Sequence, residues 1–160
     1  MKKMISLLLL CLGLWSCGDE SPGKISRNFY LQSELNAPEE NLGMYVNWSE
    51  GDKIIFRYVF DHREEENIAD DELSEIFWVV IPTNTTEFEY ELGTDSPYEF
   101  YYTRSCFCYF EAFEFNELTV SGQRINSSTW ELSFEMVASW PDSEEVFELK
   151  DSGKYKLGQR

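Results

Sequence analysis

The sequence predicts an all-β protein, an antiparallel β-sandwich or a partly open β-barrel built from hairpins and meanders. Aromatic residues make up 16% of the chain and occur beside valine, isoleucine and threonine, a composition that favours strands over helices. Apolar and polar residues alternate in several segments, with turn residues between the segments. Many short strands at intervals of about 8 to 12 residues are typical of antiparallel sandwiches and small barrels.

The clearest predicted strands have one apolar and one polar face. In residues 129–137, four apolar side chains fall on one face: Trp130, Leu132, Phe134 and Met136. The same alternation predicts a strand at residues 87–92, because successive side chains of a strand point to opposite faces. Residues 54–60 predict a further strand, in which an apolar face lies opposite a mixed one. Residues 76–81 are continuously apolar and precede Pro82, which predicts a central strand covered on both sides.

Short polar segments predict the turns between these strands. Gly51, Gly122 and Gly153 each lie in such a segment, and glycine suits the positive φ of a tight hairpin. Residues 93–97, 126–128 and 141–143 are further predicted turns. The acidic stretch at residues 61–75 predicts a long loop between two strong strands, or a loop with one helical turn from Asp70 onward.

The first residues have the pattern of a secretory signal. Lys2 and Lys3 precede a short apolar run that cannot span a bilayer as a helix. Leu14-Trp15-Ser16-Cys17 resembles the lipobox of bacterial lipoproteins. The resemblance implies a signal peptide at residues 1–16 and lipid modification of Cys17, the first residue of the mature protein. A polar tether at residues 17–27 and one β-domain at residues 28–160 complete the predicted organisation.

Two further features resemble outer-membrane lipoproteins of Bacteroidota-type bacteria. Asp19 and Glu20 closely follow Cys17 and resemble the export signal of their surface lipoproteins, which favours the cell surface over the periplasm. The last third of the chain is similar to the β-meander that ends many such domains. The resemblance implies a cell-envelope β-domain that contacts the membrane through its lipid anchor, and it carries over no functional residue.

The net charge excludes some partners. The chain has 30 acidic residues against 13 lysines and arginines, a formal charge of −17. A field of this sign repels phosphate backbones and anionic headgroups, so nucleic acid is not an expected partner. The charge permits cationic partners and divalent metals, and it gives no indication of the oligomeric state.

The remaining mature cysteines are Cys106 and Cys108. Residues i and i+2 of a strand lie about 6.5 Å apart on one face, near the outer limit for a disulfide. Two core-facing thiols are therefore favoured over a strained redox pair.

No catalytic residue is predicted. His62 is the only histidine, no glycine-flanked nucleophile elbow is present, and Glu87, Glu89 and Glu91 have the spacing of one solvated strand face. The protein is therefore expected not to be an enzyme.

No metal or other cofactor is predicted either. Asp61, Glu64, Asp70 and Asp71 are weak calcium candidates, because their segment lacks the pattern of an EF-hand. A solvated acidic loop is the preferred interpretation.

Trp48 and Trp140 lie beside predicted turns. An indole there can stack on a sugar ring or a partner protein, or can cover the core. The resulting hypothesis is a non-catalytic binding module for a glycan or a protein. The alternatives are a hydrolase of extracellular polymers and a structural or accessory subunit of an envelope complex.

Overall fold

The computed structural model describes residues 23–36, 47–62, 73–105 and 113–159. Strands hold 75% of these residues and none of them lies in a helix, which confirms the all-β prediction. The strands are β1 (Lys24–Asn36), β2 (Asn47–Glu50), β3 (Lys53–Asp61), β4 (Ser74–Pro82), β5 (Glu87–Glu91), β6 (Glu99–Ser105), β7 (Glu114–Asn126), β8 (Thr129–Ser139) and β9 (Val146–Leu157). The first strand thus begins four residues before the predicted start of the domain.

The described strands form one mixed sheet that curls into a half-barrel. Its order is β5-β7-β8-β9-β1-β3-β4-β6, and β2 pairs with β1. Every ladder is antiparallel except the one between β1 and β9, where only Asn28↔Lys156 and Phe29↔Leu157 pair. This short parallel ladder joins two antiparallel arms: the β7–β9 arm (β5, β7, β8 and β9) and the β1–β4 arm (β1, β2, β3, β4 and β6). The prediction of an all-β sandwich or partly open barrel is therefore confirmed.

Aromatic rings from both arms fill the space that the curl encloses. Phe56 of β3 meets the edges of Trp130 and Tyr155, with ring centroids 5.2 and 5.9 Å apart. Phe77 of β4 lies 4.5 Å from Phe134 of β8. These residues belong to one cluster of buried side chains, so the interior is a packed core.

The strands at the two ends of this order, β5 and β6, meet without forming a ladder. Phe88 lies 5.2 Å from Tyr98, and Tyr90 lies 4.4 Å from Phe100, between ring centroids. Side-chain packing therefore closes this side of the half-barrel, as expected for a partly open barrel.

The predicted faces agree with the observed burial. Trp130, Leu132, Phe134 and Met136 are all buried on the inner face of β8. In β4, Phe77 and Val79 face the inner core, while Trp78 and Val80 belong to a second cluster on the outer face. The continuously apolar strand is therefore covered on both sides, as predicted.

The hairpin turns predicted at Gly122 and Gly153 are wrong. Both glycines lie inside long strands, β7 and β9, and neither has a positive φ. A Cβ at Gly122 would overlap the ring of Phe88, and one at Gly153 would lie 2.8 Å from Nε of Arg27. Each glycine is therefore required by a large side chain from another strand. The predicted turns at residues 93–97, 126–128 and 141–143 do connect strands.

Several sequence predictions lie outside the described residues. These are the lipidation site Cys17, the thiols of Cys106 and Cys108, the calcium candidates Glu64, Asp70 and Asp71, and most of the acidic loop at residues 61–75. Within the described ranges, the chain has no helix of the length and hydropathy that crossing a membrane requires.

Candidate functional site

A polar groove crosses the outer face of the β7–β9 arm. It consists of two adjoining depressions of about 660 and 630 Å³, which share Glu89, Ser121 and Ser133. We call it the serine groove.

The sizes of neighbouring side chains form the groove. Glu89, Ser121, Ser133 and Ser152 are in register across four strands. On one side of this row lies a row of longer residues: Glu91, Thr119, Glu135 and Lys150. On the other side lies a similar row: Glu87, Gln123, Glu131 and Lys154. Because side chains on one face of a sheet stand side by side, short residues between longer ones leave a channel perpendicular to the strands.

The charges along the groove are unevenly distributed. Three of the glutamates lie in β5. At the other end, Lys150 and Lys154 of β9 lie opposite Glu135 and Glu131 of β8. The serine hydroxyls can donate and accept hydrogen bonds, and the carboxylates accept them. The side chains that line the groove are mainly serines and glutamates, which suit the binding of a polar ligand through hydrogen bonds.

A second polar cluster lies at the end of the half-barrel around Glu75, which is only 8% exposed. Its carboxylate accepts a hydrogen bond from the hydroxyl of Tyr102, and Nε2 of His62 lies 2.7 Å from Oε2. Nε of Arg104 lies 3.6 Å from Oε1. Burial, followed by the hydrogen bond to Glu75, raises the pKa of Tyr102 far above its ordinary value. We call these four residues the Glu75 cluster.

The Glu75 cluster joins three strands or strand ends and has the geometry of a structural network. His62 follows β3, Glu75 is in β4, and Tyr102 and Arg104 are in β6. The imidazole also packs on Phe60, with ring centroids 4.5 Å apart. A carboxylate can orient an imidazole for catalysis, but in the described part of the chain no serine hydroxyl or thiol is hydrogen-bonded to His62.

A third polar group links the two arms. The guanidinium of Arg27 in β1 donates two hydrogen bonds to Asp151 in β9, at 2.7 and 2.5 Å. The side chain of Asp151 is 6% exposed, and the hydroxyl of Tyr155 lies 3.4 Å from the same carboxylate. The hydrogen bond to Asp151 raises the pKa of Arg27. A bidentate ion pair thus reinforces the place where β1 and β9 share only two residue pairs.

The tryptophans considered for ligand stacking lie in different clusters. Trp48 packs on Tyr30 and Trp78, at 5.2 and 5.5 Å between ring centroids, on the outer face of the β1–β4 arm. Trp140 packs on Phe147, at 4.8 Å, against the inner core. Both are partly buried, and the structure does not bring them together in one site.

Asp61 is the one calcium candidate within the described ranges, and its carboxylate accepts a hydrogen bond from Ser74 at 2.7 Å. Among these residues, no group of three or more histidines, cysteines or acidic residues has a geometry that could hold a metal ion.

Sequence reasoning missed the serine groove and the Glu75 cluster. Glu75, Phe77 and Val79 are alternate residues of β4 and therefore lie on the same face of the strand. The sequence thus contained a signal for an inward-facing carboxylate at position 75. The groove left a weaker signal, since Ser121, Ser133 and Ser152 align only through strand register.

Comparison with known proteins identified no relative. No protein-family model matches the chain, and no curated protein or solved structure is significantly similar to it.

Proposed function

We propose that the protein is a lipid-anchored, non-catalytic binding module of the cell envelope that holds its ligand in the serine groove. The observation that carries the proposal is an open polar channel on the outer face of one arm, while aromatic side chains occupy the interior. Small barrels that bind a ligand inside leave room for it. Here Phe56, Trp130 and Tyr155 are in contact across that space, which favours the outer surface as the place where a ligand binds.

The chemistry of the groove favours a neutral or amine-bearing glycan. Sugar hydroxyls pair with carboxylates and serine hydroxyls, and the open ends of the channel permit a chain longer than the groove. Glu87, Glu89 and Glu91 would repel acidic sugars at the β5 end. A protein segment rich in lysine is the second ligand that this charge pattern permits.

Binding is tested with the purified full chain on an array of neutral, amine-bearing and acidic glycans. The proposal expects saturable binding of neutral or amine-bearing glycans without turnover. The appearance of cleaved products would show that the protein is an enzyme, and binding of lysine-rich peptides alone would identify the ligand as protein.

A pair of matched variants locates the site. Ser133→Phe fills the middle of the groove, whereas Ser127→Phe makes the same change in the exposed turn between β7 and β8. We expect S133F to abolish ligand binding and S127F to retain it, with both variants as stable as the parent. Equal binding by the two variants would exclude the groove.

The proposed anchor is tested independently of the ligand. Lipid modification at Cys17 would give an acylated N-terminal cysteine in mass spectrometry and a protein that stays with membranes after washing with salt. Cys17→Ser should release the protein from membranes, because acyl chains supply the burial that holds it there. A mature terminus other than an acylated cysteine would refute the anchor.

A further inference from the structure

Two buried N–H groups on the outer face of the β1–β4 arm have no acceptor. They are Nε of Arg57 in β3 and Nε1 of Trp78 in β4. The two residues are direct cross-strand partners, and the guanidinium carbon of Arg57 lies 5.3 Å from the centroid of the Trp78 ring. Two donors that lack a partner therefore occupy one place on the surface of the sheet.

Arg57 differs from the other arginines in the described ranges. Arg27 pairs with Asp151, and exposed Arg124 donates to the carbonyl of Asn126. Nε of Arg104 also lacks a hydrogen bond, but it lies 3.6 Å from the Glu75 carboxylate as an ion pair. Arg57 has no such oxygen partner among the hydrogen bonds and ion pairs of the described residues. Buried donors without an acceptor lower stability and are rare in folded proteins, so each one calls for an explanation.

The residues around this pair are mostly apolar. Ile55 and Val80 lie on one side, Val59 and Ile76 on the other, all on the same outer face. Trp48 packs on Trp78 from the direction of β2. Trp78 itself is 2% exposed and Nε of Arg57 is buried, whereas the side chains of Arg57, Ile76 and Trp48 are each partly exposed. A ligand therefore reaches the two N–H groups by displacing the partly exposed Arg57 side chain.

We infer that this face binds a monocarboxylic acid with an apolar body. One carboxylate oxygen would accept the N–H of Arg57 and the other the indole N–H of Trp78, and the body would pack on the surrounding aliphatic and indole groups. The planar guanidinium fits a carboxylate. A single cation beside a neutral N–H balances one negative charge, and the formal net charge of −17 disfavours a phosphate dianion. The site is on the arm opposite the serine groove and does not depend on the proposed function.

Proton–nitrogen NMR of the full chain gives a direct test. Titration with 3-phenylpropanoate should move the indole N–H resonance of Trp78 downfield as it gains an acceptor. Trp130 is the internal control, because its Nε1 is also buried without a partner but lies in the inner core. Its resonance should stay in place. A shift of Trp130 with Trp78 unchanged, or no shift of either at saturating acid, would overturn the inference.

The neutral amide of the same acid tests the charge. We expect 3-phenylpropanamide to bind at least about tenfold more weakly, since hydrogen bonds to charged groups are the stronger ones. Equal affinity for acid and amide would mean that the face recognises only the apolar body. Inorganic phosphate should leave the Trp78 resonance unchanged, and a shift with phosphate alone would reassign the site to phosphate.

Matched variants then identify the cation. Arg57→Gln should weaken binding of 3-phenylpropanoate by about tenfold or more. Arg124→Gln, which removes the same charge from an exposed position of β7, should leave the affinity unchanged. Trp78→Phe retains a ring but lacks the N–H, and it should lower the affinity by a smaller factor while unfolding near the temperature of the parent. Equal affinities of R57Q and R124Q would exclude Arg57 from the site.

Discussion

The two arms of the half-barrel meet along two seams that are held in opposite ways. At the seam between β1 and β9, two residue pairs form a parallel ladder and the Arg27–Asp151 ion pair continues the connection. At the seam between β5 and β6 the rings of Phe88, Tyr90, Tyr98 and Phe100 pack together without a ladder. One seam therefore depends on charge and protonation, the other on apolar area and shape. Changes of pH should weaken the first, and truncation of rings should weaken the second.

Among the changes considered, alkaline pH should have the largest effect on the stability of the fold. Burial raises the pKa of Tyr58 from 10.0 to about 12, and burial followed by the charge of Asp151 raises the pKa of Tyr155 further. Between pH 10 and 12 the unfolded chain therefore binds fewer protons than the folded chain. The stability contributed by the Tyr58 phenol is complete below pH 10 and is lost as the pH rises through 12, whereas the contribution of Tyr155 continues to be lost at higher pH.

We thus expect cooperative unfolding in this range, in which phenolate absorbance and the loss of strand signal in circular dichroism coincide. Tyr155→Phe should move the transition to higher pH. Gradual ionisation of all tyrosines in a chain that stays folded would contradict this expectation.

Truncation of a ring at the other seam should have the next largest effect. Phe88 is 5% exposed and contacts Tyr98, Phe56 and Trp130. Phe88→Ala should lower the free energy of unfolding by about 3 to 4 kcal/mol in urea titrations, because it removes a buried ring and leaves a cavity. The loss should be independent of salt. A loss below about 1 kcal/mol would show that the rings contribute little to this seam.

Removal of a charge at the β1–β9 seam should lower the free energy of unfolding somewhat less than Phe88→Ala does. Asp151→Asn leaves the Arg27 guanidinium beside a neutral amide, and we expect a loss of about 2 kcal/mol, reduced by the solvent access of Arg27. The side chain of Arg27 is 29% exposed. The double variant Arg27→Met with Asp151→Asn should recover part of this loss, since no unpaired charge remains. A double variant as unstable as the sum of the single variants would argue against coupling.

The smallest effect on stability is expected from a change at Gly122, which packs against the Phe88 ring. Gly122→Ala places a methyl group where the Phe88 ring lies, and overpacking of this kind costs about 1 to 2 kcal/mol. In the Phe88→Ala background the same change should cost nothing or stabilise the chain, because the ring is gone and alanine suits a strand better than glycine. An equal cost in both backgrounds would mean that the clash is not with Phe88.

The glycines show how far local sequence patterns predict the fold. Alternation placed the strand faces of β5 and β8 correctly, because burial of one face imposes period two on the residues themselves. Gly122 and Gly153 were predicted to be turn residues. Their lack of a side chain instead leaves room for Phe88 and Arg27, which come from strands distant in the chain. A contact between distant segments leaves no local signal, and so the two turn predictions failed.

The candidate sites also divide into those visible in the local sequence and those that depend on contacts between distant segments. Trp48 and Trp140 were noticeable in the sequence, and the structure places each against a different cluster. Arg57 and Trp78 lie 21 positions apart and were not noticeable, because their pairing depends on the register of β3 with β4. The lipid anchor at Cys17 remains a prediction from the motif alone.

The sequence by itself determined the class of fold, the faces of the main strands, the charge and the motif for lipid attachment, since each of these is encoded in neighbouring residues. Only the tertiary structure decided the parallel junction of β1 with β9, the aromatic seam between β5 and β6, the serine groove and the unpartnered donors of Arg57 and Trp78. These features arise where segments far apart in the chain meet, and strand register and curl, rather than local preference, bring them together.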